Sequence, residues 1–344
     1  MQIPVNKNAT KNAKLLLNYL SETAGNKIIT GQHTQTYPME EISYIEKVTG
    51  KSPKLRGFEL LAYSPNINYD DTTEECLTEV LENRDTLKAA LHWAKECEGI
   101  LTFTFHWFSP IGGRDKSFYT CNTDFDADRV LTEGTPERTA FYHNMDVIAK
   151  QLKIFCDEDI PILWRPLHES EGGWFWWGAK GPETARELYK LMFDYYVNVH
   201  KLDNLLWVWN NPLEQGYPGD DYVDIVSRDI YLTEYKATDY HQEYLELVNA
   251  TSRNKVAALA EIGFLPDIDL LQDSHTPWAY FMVWSKEFCI GEKYNTSENL
   301  NRMYHSQYAV TLSDIPVHSH CASQNATASL IHPSATVPVP IPNP

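Results

Sequence analysis

Two spacings of apolar residues alternate along this chain. Short runs dense in Val, Ile, Leu, Phe and Trp read as buried strands, and longer stretches with apolar residues three and four apart read as amphipathic helices. The strand-like runs fall at residues 27–31 (KIITG), 55–60 (LRGFEL), 99–107 (GILTFTFHW), 161–168 (PILWRPLH), 204–210 (NLLWVWN), 223–231, 255–262 (KVAALAEI) and 279–284 (AYFMVW). Helical spacing is clearest at 85–97, 139–155 and 182–200. In the last of these, Pro182 and Glu183 suit a first turn. A helix at 13–24 precedes the first strand and is placed to close one end of the assembly. Eight strands alternating with helices predict a single-domain α/β protein, a (β/α)8 TIM barrel over residues 1–316. From about Pro316 the sequence turns Ser-, Ala-, Thr- and Pro-rich and ends in VPVPIPNP. Residues 317–344 therefore read as a disordered linker or an appended tail, the alternative being a linker to a further binding module.

Composition narrows the function. The 344 residues carry a net charge of -18, which repels nucleic acid and anionic membrane surfaces, so neither is an expected partner. No apolar run is long enough to span a bilayer, and the polar N-terminus shows no signal-peptide core. Ten Trp and twenty Tyr are many for core packing alone, and flat rings pack against the C–H faces of sugars. Six cysteines, at 76, 97, 121, 156, 289 and 321, lack CxxC or zinc-like spacing. Cys76 with Cys97 is a candidate disulfide in a secreted protein. Sequons at Asn8, Asn249, Asn295 and Asn325 allow glycosylation in a eukaryotic host.

In a (β/α)8 barrel the chemistry sits at the C-terminal ends of the strands. The polar and aromatic residues there are His33, Glu59, His106, His168, Glu169, Asn210, Asn211, Asp229, Tyr231, Glu261 and Trp284. Two carboxylates leave apolar strands on opposite walls: Glu169 after the fourth and Glu261 after the seventh. Such a pair can flank one glycosidic bond, and a separation of about 5–5.5 Å would predict retention of configuration. Salt-bridged structural glutamates are the alternative reading of the same positions. No HxH marks the first strand, which reads GQHTQ, and no Gly-rich phosphate loop is present. No metal and no organic cofactor is expected.

The run RPLHESEGGWFWWG at 165–178 resembles the acid/base signature of glycoside hydrolase family 26, best known for β-mannanases. ALAEIG, LTFTFHW and FMVWS match further strands of that family, and the resemblance covers roughly residues 12–313. It implies a retaining endo-β-1,4-mannanase with Glu169 as general acid/base and Glu261 as nucleophile. By the same resemblance Tyr231 hydrogen-bonds the nucleophile and Arg165 adds positive potential beside it. His168, His106, Trp107, Trp174 and Trp284 are implied as sugar-contacting residues, with Trp284 as a platform beneath the sugar before the cleaved bond. Trp176 and Trp177 are balanced between subsite and packing. Glu171 is the rival for the acid, and Glu59 is expected to support the site rather than act in it. The implied partner is β-mannan polysaccharide or oligosaccharide, handled by a secreted monomer. β-1,3-Xylan and mixed-linkage β-glucan remain alternative substrates within the family, and a non-catalytic carbohydrate-binding barrel is the alternative class.

Overall fold

The computed structural model describes residues 2–70, 72–112 and 118–314; the expected tail at 317–344, with Cys321 and Asn325, lies outside them. The strands are β1 (Ile28–Ile29), β2 (Gly31–His33), β3 (Leu55–Glu59), β4 (Ile100–Thr104), β5 (Ile162–Arg165), β6 (Leu205–Asn210), β7 (Ile225–Ile230), β8 (Val256–Ile262), β9 (Trp278–Val283) and β10 (Ala309–Val310). Every pairing between them is parallel. The order runs β2 to β9, and β9 pairs back with β2 through Gln32 and Val283, so the sheet closes into an eight-stranded barrel. The first expected strand is broken at Thr30, whose N–H and hydroxyl both donate to the Val310 carbonyl, at 3.0 and 2.8 Å. That contact recruits the two-residue β10, which is too short to leave a periodic signal.

Helices cover the outside. The longest (Pro136–Asp157) starts where Thr135 caps the Arg138 N–H and proline occupies its first turn. The helix at Pro182–Asn198 also has proline in its first turn, after Gly181, but no side-chain cap. α1 (Lys11–Thr23) is capped by Thr10 and turns Ala13, Leu17 and Leu20 inward. These side chains join Ile29, Leu55, Ile100, Leu163, Leu206, Ile225 and Val256 in one buried cluster. Those seven lie near the starts of their strands, so α1 plugs the N-terminal end of the barrel, as its position predicted.

Alternation along each strand sorts side chains inward and outward. On β5, Ile162 and Trp164 face the helices while Leu163 and Arg165 face the interior. The interior thus changes from aliphatic at the plugged end to polar at the open one. Close packing of the interior demands small residues locally: a Cβ on Gly31 would lie 2.3 Å from the Phe281 carbonyl oxygen and 2.9 Å from Leu55. β8 departs from simple alternation. Ala257, Leu259 and Ile262 all face outward, and the register against β7 steps from Arg228–Leu259 to Asp229–Glu261. One extra residue, at Ala260, makes a bulge that turns Glu261 to the interior when strict alternation would point it at the helices.

Two expectations change. Cys76 and Cys97 are both free thiols, as are Cys121, Cys156 and Cys289, so the candidate disulfide is absent. The Asn295 sequon is closed to modification in the folded chain. Its side chain is buried, and its amide donates to the Gly263 and Phe288 carbonyls and accepts from Leu265 N–H. Asn8 and Asn249 are exposed. Among the described residues, no helix is long and apolar enough to cross a membrane.

Gly31→Ala forces a methyl group against backbone, so overpacking should cost about 1–3 kcal/mol, read as a lower urea midpoint at unchanged m-value.

Candidate active site

The polar end of the barrel is organised around one buried cation. Arg165, the last residue of β5, is fully buried. Its Nη1 donates to Asp229 Oδ2 at 2.7 Å and its Nη2 donates to Glu261 Oε1. Glu261 Oε2 accepts from the Tyr231 hydroxyl at 2.8 Å. Asp229 Oδ1 accepts from Asn210 Nδ2 at 2.8 Å, and Asn210 Oδ1 in turn accepts the Glu169 N–H at 2.9 Å. Arg165, Asn210, Asp229, Tyr231 and Glu261 therefore form one hydrogen-bonded wall across four strands and their ends.

Glu169 is held differently. Leu167 and Glu169 both have positive φ, 53° and 52°, a strained conformation for non-glycine residues that costs about 1–3 kcal/mol each. The chain that follows supports this elbow. Trp177 Nε1 donates to the His168 carbonyl at 2.7 Å, and Asn211 Nδ2 donates to Ser170 Oγ at 2.8 Å. Trp176, Trp177 and Trp107 are all buried, with Trp176 Nε1 donating to the Trp107 carbonyl and Trp107 Nε1 to Asn144. These three rings pack behind the elbow and do not line the cavity. Trp174 is 46% exposed, and its Nε1 donates to Glu169 Oε2 at 2.9 Å.

Carboxyl oxygens of Glu169, Asp229 and Glu261 lie within 4.8 Å of one another. Three acidic groups so close could hold a cation, and here the Arg165 guanidinium already serves two of them. Burial first, and the charge of Asp229 second, push Glu169 up to about 8. Burial also pushes Glu261 up; Arg165 opposes this, and Asp229 and Glu169 add to it. A shared proton settles on the member with least support for its charge. Glu261 has a guanidinium and a phenol, whereas Glu169 has one indole, so Glu169 carries the proton and Glu261 the charge.

A second chain runs beside the first. The Glu59 carboxylate accepts from His106 Nδ1 at 2.6 Å, from the His106 and Leu61 backbone N–H groups and from the Thr104 hydroxyl. Burial would raise this carboxyl, but His106 outweighs it and holds Glu59 at about 2. Burial lowers His106 and its contact with Glu59 more than restores it, so His106 is raised. His168, 3.1 Å away between the two Nε2 atoms, is driven well below its ordinary value by burial and by the His106 charge. Hence His106 donates from Nε2, and neutral His168 keeps its proton on Nδ1. His33, lowered to about 3 by burial, stacks on Trp284 with ring centroids 3.9 Å apart.

Together these groups line a cavity of about 260 Å³ at the C-terminal mouth of the barrel. The expected residues His106, His168, Glu169, Tyr231, Glu261 and Trp284 all line it, and so do His33 and Glu59. Arg165 acts from beneath, and Trp174 touches the site through Glu169. Glu171, raised to about 7 mainly by burial, does not line it. Glu79, Asn83, Tyr119 and Lys286 also contribute to the wall. They come from loops and from a helix outside the barrel, where no strand-end rule finds them. Asp229 was visible as a strand-end carboxylate, but its partnership with Arg165 was not.

A closed parallel barrel with paired carboxylates at its C-terminal mouth defines a class, the (β/α)8 glycosidases. The chain belongs to glycosyl hydrolase family 26, whose sequence profile matches residues 5–314. It is 38% identical to a mannan endo-1,4-β-mannosidase of Thermothelomyces thermophilus over 90% of this chain and 62% of that protein. It is 30% identical to mannan endo-1,4-β-mannosidase B of Piromyces sp over 91% of this chain and 53% of that one. The chain thus spans about three-fifths and one-half of these two relatives. Among solved structures, the Podospora anserina GH26-CBM35 β-(1,4)-mannanase superposes with a TM-score of 0.80 at 37% identity, covering 91% of this chain and 68% of that one. A β-mannanase from a symbiotic protist of the termite Reticulitermes speratus, complexed with gluco-manno-oligosaccharide, gives 0.79 at 30% identity, covering 91% and 97%.

The raised Glu169 carboxyl has a stability consequence. A folded-state value near 8 against about 4.5 unfolded means stability is whole below pH 4.5 and is lost as pH climbs toward 8. Glu169→Gln removes that loss. Its melting temperature should match wild type below pH 4.5 and exceed it increasingly up to pH 8, as measured by calorimetry across that range.

Proposed function

We propose that the chain is an endo-acting β-1,4-mannanase that cleaves with retention by double displacement. The observation that carries this reading is the unequal support of two carboxyls whose oxygens lie within 4.8 Å. That spacing suits direct attack on the sugar and leaves no room for the intervening water of an inverting enzyme, which needs about 6.5–9.5 Å. Glu261, ionised by Arg165 and Tyr231, attacks the anomeric carbon. Protonated Glu169 delivers its proton to the departing glycosidic oxygen. Glu169 then takes a proton from water, which attacks the glycosyl–Glu261 ester and regenerates both groups.

Around this pair, Trp284 offers its ring beneath the sugar before the cleaved bond, braced by His33. His106 gives its Nδ1–H to Glu59 and its Nε2–H to His168, which leaves the His168 Nδ1–H as the donor of this pair without a protein partner. Trp174 stands on the leaving-group side, where its exposed ring is available to the next sugar. Arg165 and Trp107 act from behind, the first through Glu261 and the second by holding Trp176 under the elbow. The mannan reading rests on the relatives named above. A polymeric substrate cannot enter cells intact, which supports secretion, and residues 1–316 acting as a monomer suffice for this chemistry.

Reducing-sugar release from carob galactomannan, barley β-glucan and β-1,3-xylan, by wild type and Glu261→Ala, tests the reading. Release from galactomannan that the variant abolishes is the expected result. Release only from glucan or xylan would move the specificity and keep the mechanism, and release from none by folded protein would sink the enzymatic reading. Glu169→Gln should lower kcat/KM on galactomannan by about 10²–10⁴-fold. For wild type, kcat/KM should decline above about pH 8 as Glu169 loses its proton.

A further inference from the structure

The two strands that carry Tyr231 and Glu261 do not stop being ordered at the catalytic cavity. Two residues beyond Tyr231 and three beyond Glu261, their continuations form the lips of a second, open cleft of about 530 Å³. Its walls include Thr233, Glu234, Tyr235, Phe264, Tyr294 and Asn299. Five rings connect it to the active site without a break. Tyr231 meets Phe288 at 5.2 Å between centroids, Phe288 meets Tyr294 at 4.3 Å, Tyr294 meets Phe264 at 5.1 Å and Phe264 meets Tyr235 at 5.8 Å. Phe264 is buried as the floor, Tyr294 is half-buried and Tyr235 is 47% exposed. The rim is polar and charged, with Glu234, Glu292 and Lys293 beside an amide and hydroxyls, and Lys293 Nζ lies 4.9 Å from the centroid of the Tyr294 ring.

The cleft is also held in shape. Buried Asn295 ties the segments after β8 and β9 together: it donates to the Gly263 and Phe288 carbonyls and accepts from Leu265 N–H. The Tyr240 hydroxyl donates to the Phe264 carbonyl at 2.9 Å. A cleft fixed before binding loses less free energy on ordering.

We propose that this cleft is a distal sugar subsite, occupied by the continuation of the same β-linked polysaccharide chain that is cleaved at Glu169 and Glu261. Tyr235 is its platform and Tyr294 its second ring. Ligand sites run from about 300 to 1,000 Å³, so the volume accommodates a short stretch of the chain. An apolar floor with a polar rim fits the amphipathic faces of a pyranose, and the ring track from Tyr231 supplies the continuity. The proposal rests on the glycosidase reading of the neighbouring site.

The test compares kcat/KM on mannohexaose with kcat/KM on mannotriose for wild type, Tyr235→Ala, Tyr235→Phe and Tyr294→Ala. Loss of one interface aromatic should lower the hexaose-to-triose ratio roughly ten-fold in Tyr235→Ala. Tyr235→Phe keeps the ring and should restore the ratio, and Tyr294→Ala should lower it. A ratio that stays at the wild-type value in both alanine variants, whether or not both rates fall, overturns the proposal. If wild type cleaves glucan or β-1,3-xylan instead of mannan, the mannan reading fails alone, and the same ratio on oligosaccharides of the cleaved polymer decides the subsite. Inactivity of folded wild type on all three overturns both.

Discussion

A guanidinium sealed inside the barrel, between Asp229 and Glu261, is the constraint on which the site depends. A buried cation is tolerated only when its charge and its donors are matched, and the inward-facing end of β5 leaves Arg165 no route to water. Asp229 and Glu261 must therefore sit where its two terminal nitrogens reach them. Asp229 then brings Asn210, and Asn210 brings the Glu169 backbone. The positions of Glu169 and Glu261 thus follow from neutralising one arginine. The charge pattern follows as well: three carboxyls share one cation, so one must hold a proton, and geometry leaves it on Glu169.

Two backbone irregularities deliver the carboxyls to that arginine. A regular β8 would point residue 261 at the helices, and a bulge at Ala260 turns it inward. A relaxed backbone after β5 would carry residue 169 away from the mouth, and positive φ at Leu167 and Glu169 turns it back. Each departure costs free energy, and each is backed by well-packed structure. The Trp107, Trp176 and Trp177 cluster with Asn211 backs the elbow, and pairing with β7 backs the bulge. This explains why so many tryptophans near the site touch no part of the cavity. They keep strained backbone in one conformation, so Glu169 is positioned before any ligand binds.

Much of this was legible in the chain. The eight strands, their barrel closure and the plug helix followed from period and count, because burial on both faces makes strands of a parallel barrel nearly continuous apolar runs. The carboxylates stood out because an acid that ends an apolar run must have a use or a partner. What stayed hidden was of three kinds. β10 is two residues long and exists through the contact of Thr30 with Val310, so it has no pattern of its own. The bulge at Ala260 leaves no mark in AALAEIG, since alanine is compatible with either face. Tyr119, Glu79 and Lys286 reach the cavity from loops and an outer helix, and their placement depends on the fold having formed. The cysteine pairing failed because even counts and nearby positions say nothing about whether two sulfurs meet.

The histidines show how the same logic extends to specificity. Glu59 raises His106 above its ordinary value, and burial together with the neighbouring His106 drives His168 well below its own. The Glu59 carboxylate thereby orients the hydrogen bond between His106 and His168. A neutral polysaccharide presents only hydroxyls, each able to donate or accept, so recognition requires that the protein side be unambiguous. With a net charge of -18 the chain gains nothing from long-range attraction to a neutral ligand. Discrimination between sugars that differ at one hydroxyl must then come from donors of fixed direction set against aromatic faces, and the Glu59–His106–His168 chain beside the His33–Trp284 stack has that composition.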